Sequence, residues 1–113
     1  GFDVCYGTSQ NICDDLQSEQ FGRVDDLTYT KAQVMGCDLL VLDDLGTEID
    51  NQYSIATLYN IINTRILSGK PTIISTNYSM IDLEKKYDKR ITSRLTGEYI
   101  PFYFIGNDIR NIK

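Results

Sequence analysis

At 113 residues and 12.9 kDa, with 16 acidic against 11 basic side chains, a net charge of −5 and a pI near 4.5, the chain has the length of one domain or part of one. Its 42% hydrophobic and 24% charged residues form an ordinary globular balance, which argues against a wholly disordered, collagenous or coiled-coil chain. No apolar run approaches the roughly 20 residues needed to cross a bilayer, and no charged leader precedes a cleavable apolar stretch, so a cytoplasmic protein without a membrane partner is expected.

The three cysteines, Cys5, Cys13 and Cys37, are an odd number without Cys-x-x-Cys spacing, and the chain has no histidine. Neither a disulfide framework nor a zinc centre is expected. Catalysis near neutral pH must then rest on carboxylates, arginines, lysines or a metal ion rather than on imidazole. The charge is unevenly divided: residues 1–60 hold 11 acidic and 2 basic side chains, residues 61–113 hold 5 acidic and 9 basic. Such polarity suits opposite faces that meet head to tail. The chain opens Gly1-Phe2-Asp3 without a methionine, which suggests a fragment.

Phe2 to Tyr6 is a short apolar-rich run ended by Gly7, and Thr8-Ser9 offers an N-cap to a helix over Gln10 to Gln20 with Ile12, Cys13 and Leu16 on one face. A turn over Gly22 to Asp26 leads to a shorter predicted helix, Leu27 to Met35, stopped by Gly36. Leu39 to Leu42 is continuously apolar, as expected of a parallel strand covered on both faces. From Tyr53 to Leu67, residues Ile55, Leu58, Tyr59, Ile62 and Ile66 recur at helical intervals. Lys70-Pro71 leads into a second buried-type strand, Thr72 to Thr76. Asp82 to Leu95 reads as one helix with Leu83, Tyr87, Ile91 and Leu95 at every fourth residue, closed by Gly97. Ile100 to Ile105 is a last strand candidate whose early Pro101 favours a strand start or an edge. Alternating strands and helices predict an α/β fold with a mainly parallel sheet.

In open parallel sheets, ligands bind beyond the carboxyl ends of the strands. Asp43-Asp44 follows the first buried strand, and Thr76-Asn77 closes the second. One aspartate there can hold Mg²⁺ through water, and its neighbour can accept a proton from an attacking water, which suits phosphoanhydride hydrolysis. The amide of Asn77 can orient the same water. Lys86, Arg90 and Arg94, four residues apart on the predicted helix, project from one side of it; such a charge run is either a solvated face or an arginine offered to the γ-phosphate of a neighbouring subunit.

The strings Leu39-Leu40-Val41-Leu42-Asp43-Asp44-Leu45-Gly46-Thr47-Glu48, Lys70-Pro71-Thr72-Ile73-Ile74-Ser75-Thr76-Asn77, Arg90-Ile91-Thr92-Ser93-Arg94-Leu95 and Gly106-Asn107-Asp108-Ile109-Arg110 together resemble the DnaC/DnaI helicase-loader family of AAA+ ATPases, with the IstB transposition ATPases close by. The resemblance covers nearly the whole chain in the right order. It implies an AAA+ three-layer fold, ATP and Mg²⁺ as cofactors, a replicative helicase as partner and head-to-tail homo-oligomers. Asp43 is implied as the Walker B magnesium ligand, Asp44 as the catalytic carboxylate where many relatives have Glu, Asn77 as sensor 1, Arg94 as the arginine finger with Arg90 as alternative or support, and Arg110 as the nucleotide-touching sensor 2 arginine. The family contacts single-stranded DNA through a helical element at the place of Ser9 to Met35, but that segment carries only Arg23 and Lys31 as cations, so DNA binding by this chain is a weak expectation.

The glycine-rich phosphate loop, G-x-x-x-x-G-K-[ST], is missing. Gly69-Lys70 runs into Pro71, lacks a glycine five positions earlier and enters a strand. Residues 1–113 are therefore expected to be the C-terminal part of an AAA+ domain without the P-loop strand and helix, inactive alone, with an unpaired edge on Thr72 to Thr76 that invites pairing with Ile100 to Ile105 or self-association. The rival readings are an IstB-like transposition ATPase and a non-enzymatic interaction module that keeps the Walker B half as scaffold.

Overall fold

The computed structural model describes residues 1–23, 25–48, 52–87 and 89–100. The element order is β1 (Val4–Thr8), α1 (Ser9–Gln20), α2 (Lys31–Gly36), β2 (Leu39–Asp43), α3 (Gln52–Leu67), β3 (Thr72–Ile74), α4 (Met80–Lys86) and α5 (Lys89–Glu98). The three strands form one parallel sheet in the order β1-β2-β3, with Cys5 opposite Leu40 and Leu40 opposite Thr72. β2 is the middle strand, so Asp43, its last residue, and Asp44 after it leave the sheet between two neighbours.

Registered residues of a parallel sheet share a face. One face carries Cys5, Leu40 and Leu42 and is packed into the core with Ile12, Leu16, Leu58, Ile61 and Ile62. The other carries Val4, Tyr6 and Ile73, exposed at 51%, 57% and 37% among the described residues. β2 thus alternates buried and half-buried side chains rather than being equally covered on both faces, as its unbroken apolar run predicted. Asp43, in register with Thr8, stands on the more open face.

Local chemistry fixes the helix starts. Thr8 caps α1 by accepting the Asn11 N–H at 3.1 Å. α2 begins at Lys31 rather than Leu27, because Thr30 and Gln33 form a reciprocal capping box that places the boundary there. β1 lies two residues later than the apolar run suggested and includes Gly7, whose added Cβ would stand 3.1 Å from Ile12. β3 is shorter than predicted, ending at Ile74, although Ser75 N still donates to Leu42 O at 3.0 Å.

The predicted single helix over Asp82 to Leu95 is two helices. Ser79 caps α4 through the Asp82 N–H, and Tyr87 ends it with an extended backbone (φ −105°, ψ 170°) before α5 starts at Lys89 and runs through Gly97. Lys86 therefore does not share a helix with Arg90 and Arg94. The apolar stripe survives the break because Leu83 and Tyr87 enter the same core as Ile91 and Leu95. The strand candidate beyond Ile100 and the residue Arg110 lie outside the described residues.

Candidate functional site

The loop after β2 is built around two backbone anomalies. Asp44 has φ +55° and Gly46 φ +107°, an angle that favours glycine, and a Cβ on Gly46 would stand 2.4 Å from the Tyr78 ring as it is placed. The turn throws Asp43 and Asp44 to the carboxyl end of the sheet. Leu45 N donates to Ser75 O at 2.8 Å and Thr76 Oγ1 to Leu45 O at 2.6 Å, which continues the β2–β3 pairing beyond the strands themselves.

Ser75 makes the central contact. Its hydroxyl donates to Asp43 Oδ1 and accepts the Asp44 N–H at 3.0 Å. Tyr6 OH, from the other neighbouring strand, donates to Asp43 Oδ2 at 3.0 Å. Both oxygens of Asp43 are thus held by hydroxyls, one from β1 and one from just past β3, which orients the carboxylate. The Asp44 carbonyl lies 3.1 Å from Ser9 Oγ and accepts Thr47 Oγ1 at 2.8 Å.

Glu48 closes the loop. It is 3% exposed, and its carboxylate accepts the Gly46 N–H at 3.1 Å, lies 2.5 Å from Ser9 Oγ and accepts the Tyr87 OH; its carbonyl accepts Lys86 Nζ at 3.0 Å. Burial first, then the bond and charge of Glu48, push the Tyr87 phenol well above its ordinary range, so Tyr87 remains a donor.

Of the residues singled out by sequence, Asp43 and Asp44 lie together at the end of the middle strand. Asn77 is exposed, two residues past Ser75, and it is Ser75 that touches Asp43. Arg90 and Arg94 are one turn apart on α5, which packs against α3; Arg90 is exposed with its guanidinium 5.0 Å from the Tyr59 ring centroid, and Arg94 is half-buried. Ser75 and Glu48 stood in the sequence only as members of motif strings, Ser9 only as an N-cap candidate and Tyr6 only as the end of an apolar run. The period-2 placement of Tyr6 one strand away from Asp43 was the only available signal for it.

No cluster of three or more His, Cys, Asp or Glu side chains suited to a metal is present among the described residues. A single fixed carboxylate beside a hydroxyl fits Mg²⁺, which keeps several waters and takes one or two protein carboxylates plus phosphate oxygens. No helix of the described residues is long and apolar enough to cross a membrane.

No family model matches the chain. It is 31% identical over 58 residues to the replicative helicase loader DnaC of Escherichia coli K12, an alignment that takes in 51% of this chain and 24% of the loader. The chain thus spans about a quarter of the length of that relative. Among solved structures, a DnaC helicase loader superposes with a TM-score of 0.68 at 24% identity, covering 83% of this chain and 56% of that one. The replication initiator DnaA bound to AMPPCP and single-stranded DNA gives 0.68 at 21%, covering 86% and 30%. The described residues share the fold of these DnaC and DnaA structures. Within it, the chain is DnaC-like, homologous over part of its length to the helicase loader.

Proposed function

We propose that this chain supplies the Walker B and sensor 1 portion of an ATP-dependent DNA replication protein that loads a replicative helicase. The observation that carries this reading is the fixed pair Asp43–Asp44 at the end of the middle parallel strand, pinned by Ser75 from just past the next strand. Its support is the partial identity to DnaC, a helicase loader, and the fold it shares with a nucleotide-bound DnaA.

Asp43, with the Ser75 hydroxyl beside it, is the residue to hold Mg²⁺, which when bound offsets phosphate charge. Asp44 accepts the proton of the water that attacks the γ-phosphate, and Asn77 orients that water. Arg94, supported by Arg90, stabilises transition-state charge across a head-to-tail contact between copies, and Arg110 touches nucleotide phosphates. Residues 1–113 contain no glycine-rich phosphate loop, so triphosphate affinity in these residues alone is low. Single-stranded DNA is a secondary partner at most, since Ser9 to Met35 holds two cations among several acids.

The test uses the protein at its native length with the replicative helicase and, separately, a transposase from the same host. ATP-dependent helicase loading onto single-stranded DNA, abolished by Asp43→Asn, is the expected result. Assembly with the transposase and an unloaded helicase would overturn the loader reading. Undiminished function in both Asp43→Asn and Asp44→Asn would instead favour a scaffold without enzymatic chemistry.

A further inference from the structure

Glu48 joins the loop beside the acidic pair of this chain's own site to the segment that leads into the helix whose arginines are offered to the neighbouring copy. On one side it holds the loop that carries Asp43 and Asp44, through the Gly46 N–H at 3.1 Å and through Ser9, whose hydroxyl also lies 3.1 Å from the Asp44 carbonyl. On the other side its carboxylate accepts Tyr87 OH and its carbonyl accepts Lys86 Nζ. Tyr87 is the C-cap of α4 and stands two residues before α5, the helix of Arg90 and Arg94.

The arrangement is demanding. The Glu48 carboxylate belongs to a residue only 3% exposed, and Tyr87 itself is 2% exposed. A buried charge is tolerated when its acceptor sites are filled, and here a backbone N–H, a serine hydroxyl and a phenol surround it. A hydrophobic side chain would pack the same space but would leave the Gly46 N–H and the Tyr87 OH without acceptors. The helix break at Tyr87 separates α5 from α4, so the Glu48–Tyr87 contact holds the junction before α5, while Ile91 and Leu95 pack the helix itself into the core.

We infer that Glu48 is a positioning residue: through Tyr87 it sets the arginine helix α5 relative to the Asp43–Asp44 loop. The inference rests on the ATPase reading above. In the head-to-tail reading Arg94 serves the neighbouring copy's site, and a misplacement of about 1 Å there can lower a rate by about a hundredfold, so loosening this link should slow the chemical step while leaving nucleotide binding nearly intact.

The experiment compares Tyr87→Phe, Glu48→Ala and Glu48→Gln in the native-length protein, with kcat expressed per nucleotide-binding site. Tyr87→Phe should lower kcat roughly tenfold or more with KM for ATP changed less than about twofold. Glu48→Gln, which keeps an acceptor for Gly46, should recover most of the rate that Glu48→Ala loses. Amide exchange should rise in α5 more than in α3 in the Tyr87→Phe protein. A wild-type kcat for Tyr87→Phe, a kcat loss matched by an equal rise in KM, or unchanged α5 exchange would each overturn the inference. If the unmutated protein hydrolyses no ATP, the proposed function fails, and the coupling is then decided by the exchange alone.

Discussion

Ser75 Oγ donates to Asp43 Oδ1 while accepting the N–H of Asp44, so one hydroxyl from the residue just past β3 fixes both members of the acidic pair at the end of β2. It can do so because the β2–β3 pairing runs on past the strand ends, with Leu42 O accepting Ser75 N and Ser75 O accepting Leu45 N. The site is therefore sheet geometry extended by one residue, not an independent loop structure.

Ser75→Ala should lower stability by about 1–3 kcal/mol, because the half-buried Asp44 N–H and the Asp43 oxygen each lose a partner. Ser75→Thr, which retains the hydroxyl, should lose less. Urea unfolding of the two variants checks this. Equal midpoints for Ser75→Ala and the unmutated chain would mean that water replaces the hydroxyl at no net loss.

Arg65 carries a second, purely architectural load. It is fully buried in α3, and its guanidinium reaches Thr72 Oγ1 (2.8 Å), Val34 O (3.0 Å), Met35 O (3.3 Å), Pro71 O (2.8 Å) and Cys37 Sγ (3.4 Å). One side chain thus closes the carbonyl end of α2 and the entry to β3. Arg65→Lys keeps the charge but replaces a fork of donors by a single ammonium, and should destabilise by about 3 kcal/mol or more, since buried acceptors are left unpaired around a charge. A thermal midpoint unchanged within a degree would contradict it.

What could be read from sequence follows from the range of the interactions involved. α1, β2 and α3 were legible because apolar periodicity and the Thr8 cap act within a few residues. The break at Tyr87 was not, since Leu83, Tyr87, Ile91 and Leu95 keep every-fourth-residue spacing on both sides of it, and periodicity registers the face but not the continuity of a helix. The boundary at Thr30 was visible in Thr-x-x-Gln, a capping box that a longer apolar window obscured. In α3 the fully buried stripe runs through Ser54, Leu58, Ile61, Ile62 and Arg65, with Ile55, Tyr59 and Ile66 packed half-buried beside it, because an arginine can enter a core where carbonyls converge. Those carbonyls come from residues 34, 35 and 71, which no local pattern could link. At the candidate site, the aspartates announced themselves by following an apolar strand, whereas Ser75 and Tyr6 gained their roles only through cross-strand register.

The buried thiols predict the response to alkali. Burial, followed by the neighbouring Cys37, pushes Cys5 up from 9.0 to about 12; burial, followed by the charge of Glu48, pushes Cys13 up from 9.0 to about 12. A thiol whose folded value lies above its unfolded one favours the native state fully below the unfolded value. That contribution is lost as pH rises toward the folded value, because the unfolded chain gives up its protons first. The thermal midpoint should therefore fall progressively between about pH 9 and 12. Replacing Cys13 by Ala should flatten that fall, whatever it does to stability at pH 7. A midpoint independent of pH over this window would show that the thiols ionise equally in both states.

The Gly46–Tyr78 approach separates two sources of strain in the loop that presents the aspartates. Gly46→Ala faces both φ +107° and a ring atom 2.4 Å from the new methyl. The ring belongs to a residue 43% exposed, so it can swing outward, whereas the backbone angle is set by Ser75, Glu48 and the strand pairing on either side. The dihedral should then dominate. Gly46→Ala is expected to destabilise by about 1–3 kcal/mol, and adding Tyr78→Ala should restore only a minor part of it. Chemical denaturation of the single and double variants measures the partition: full recovery in the double variant would place the strain in the ring contact and show that the loop tolerates an L-residue at this angle.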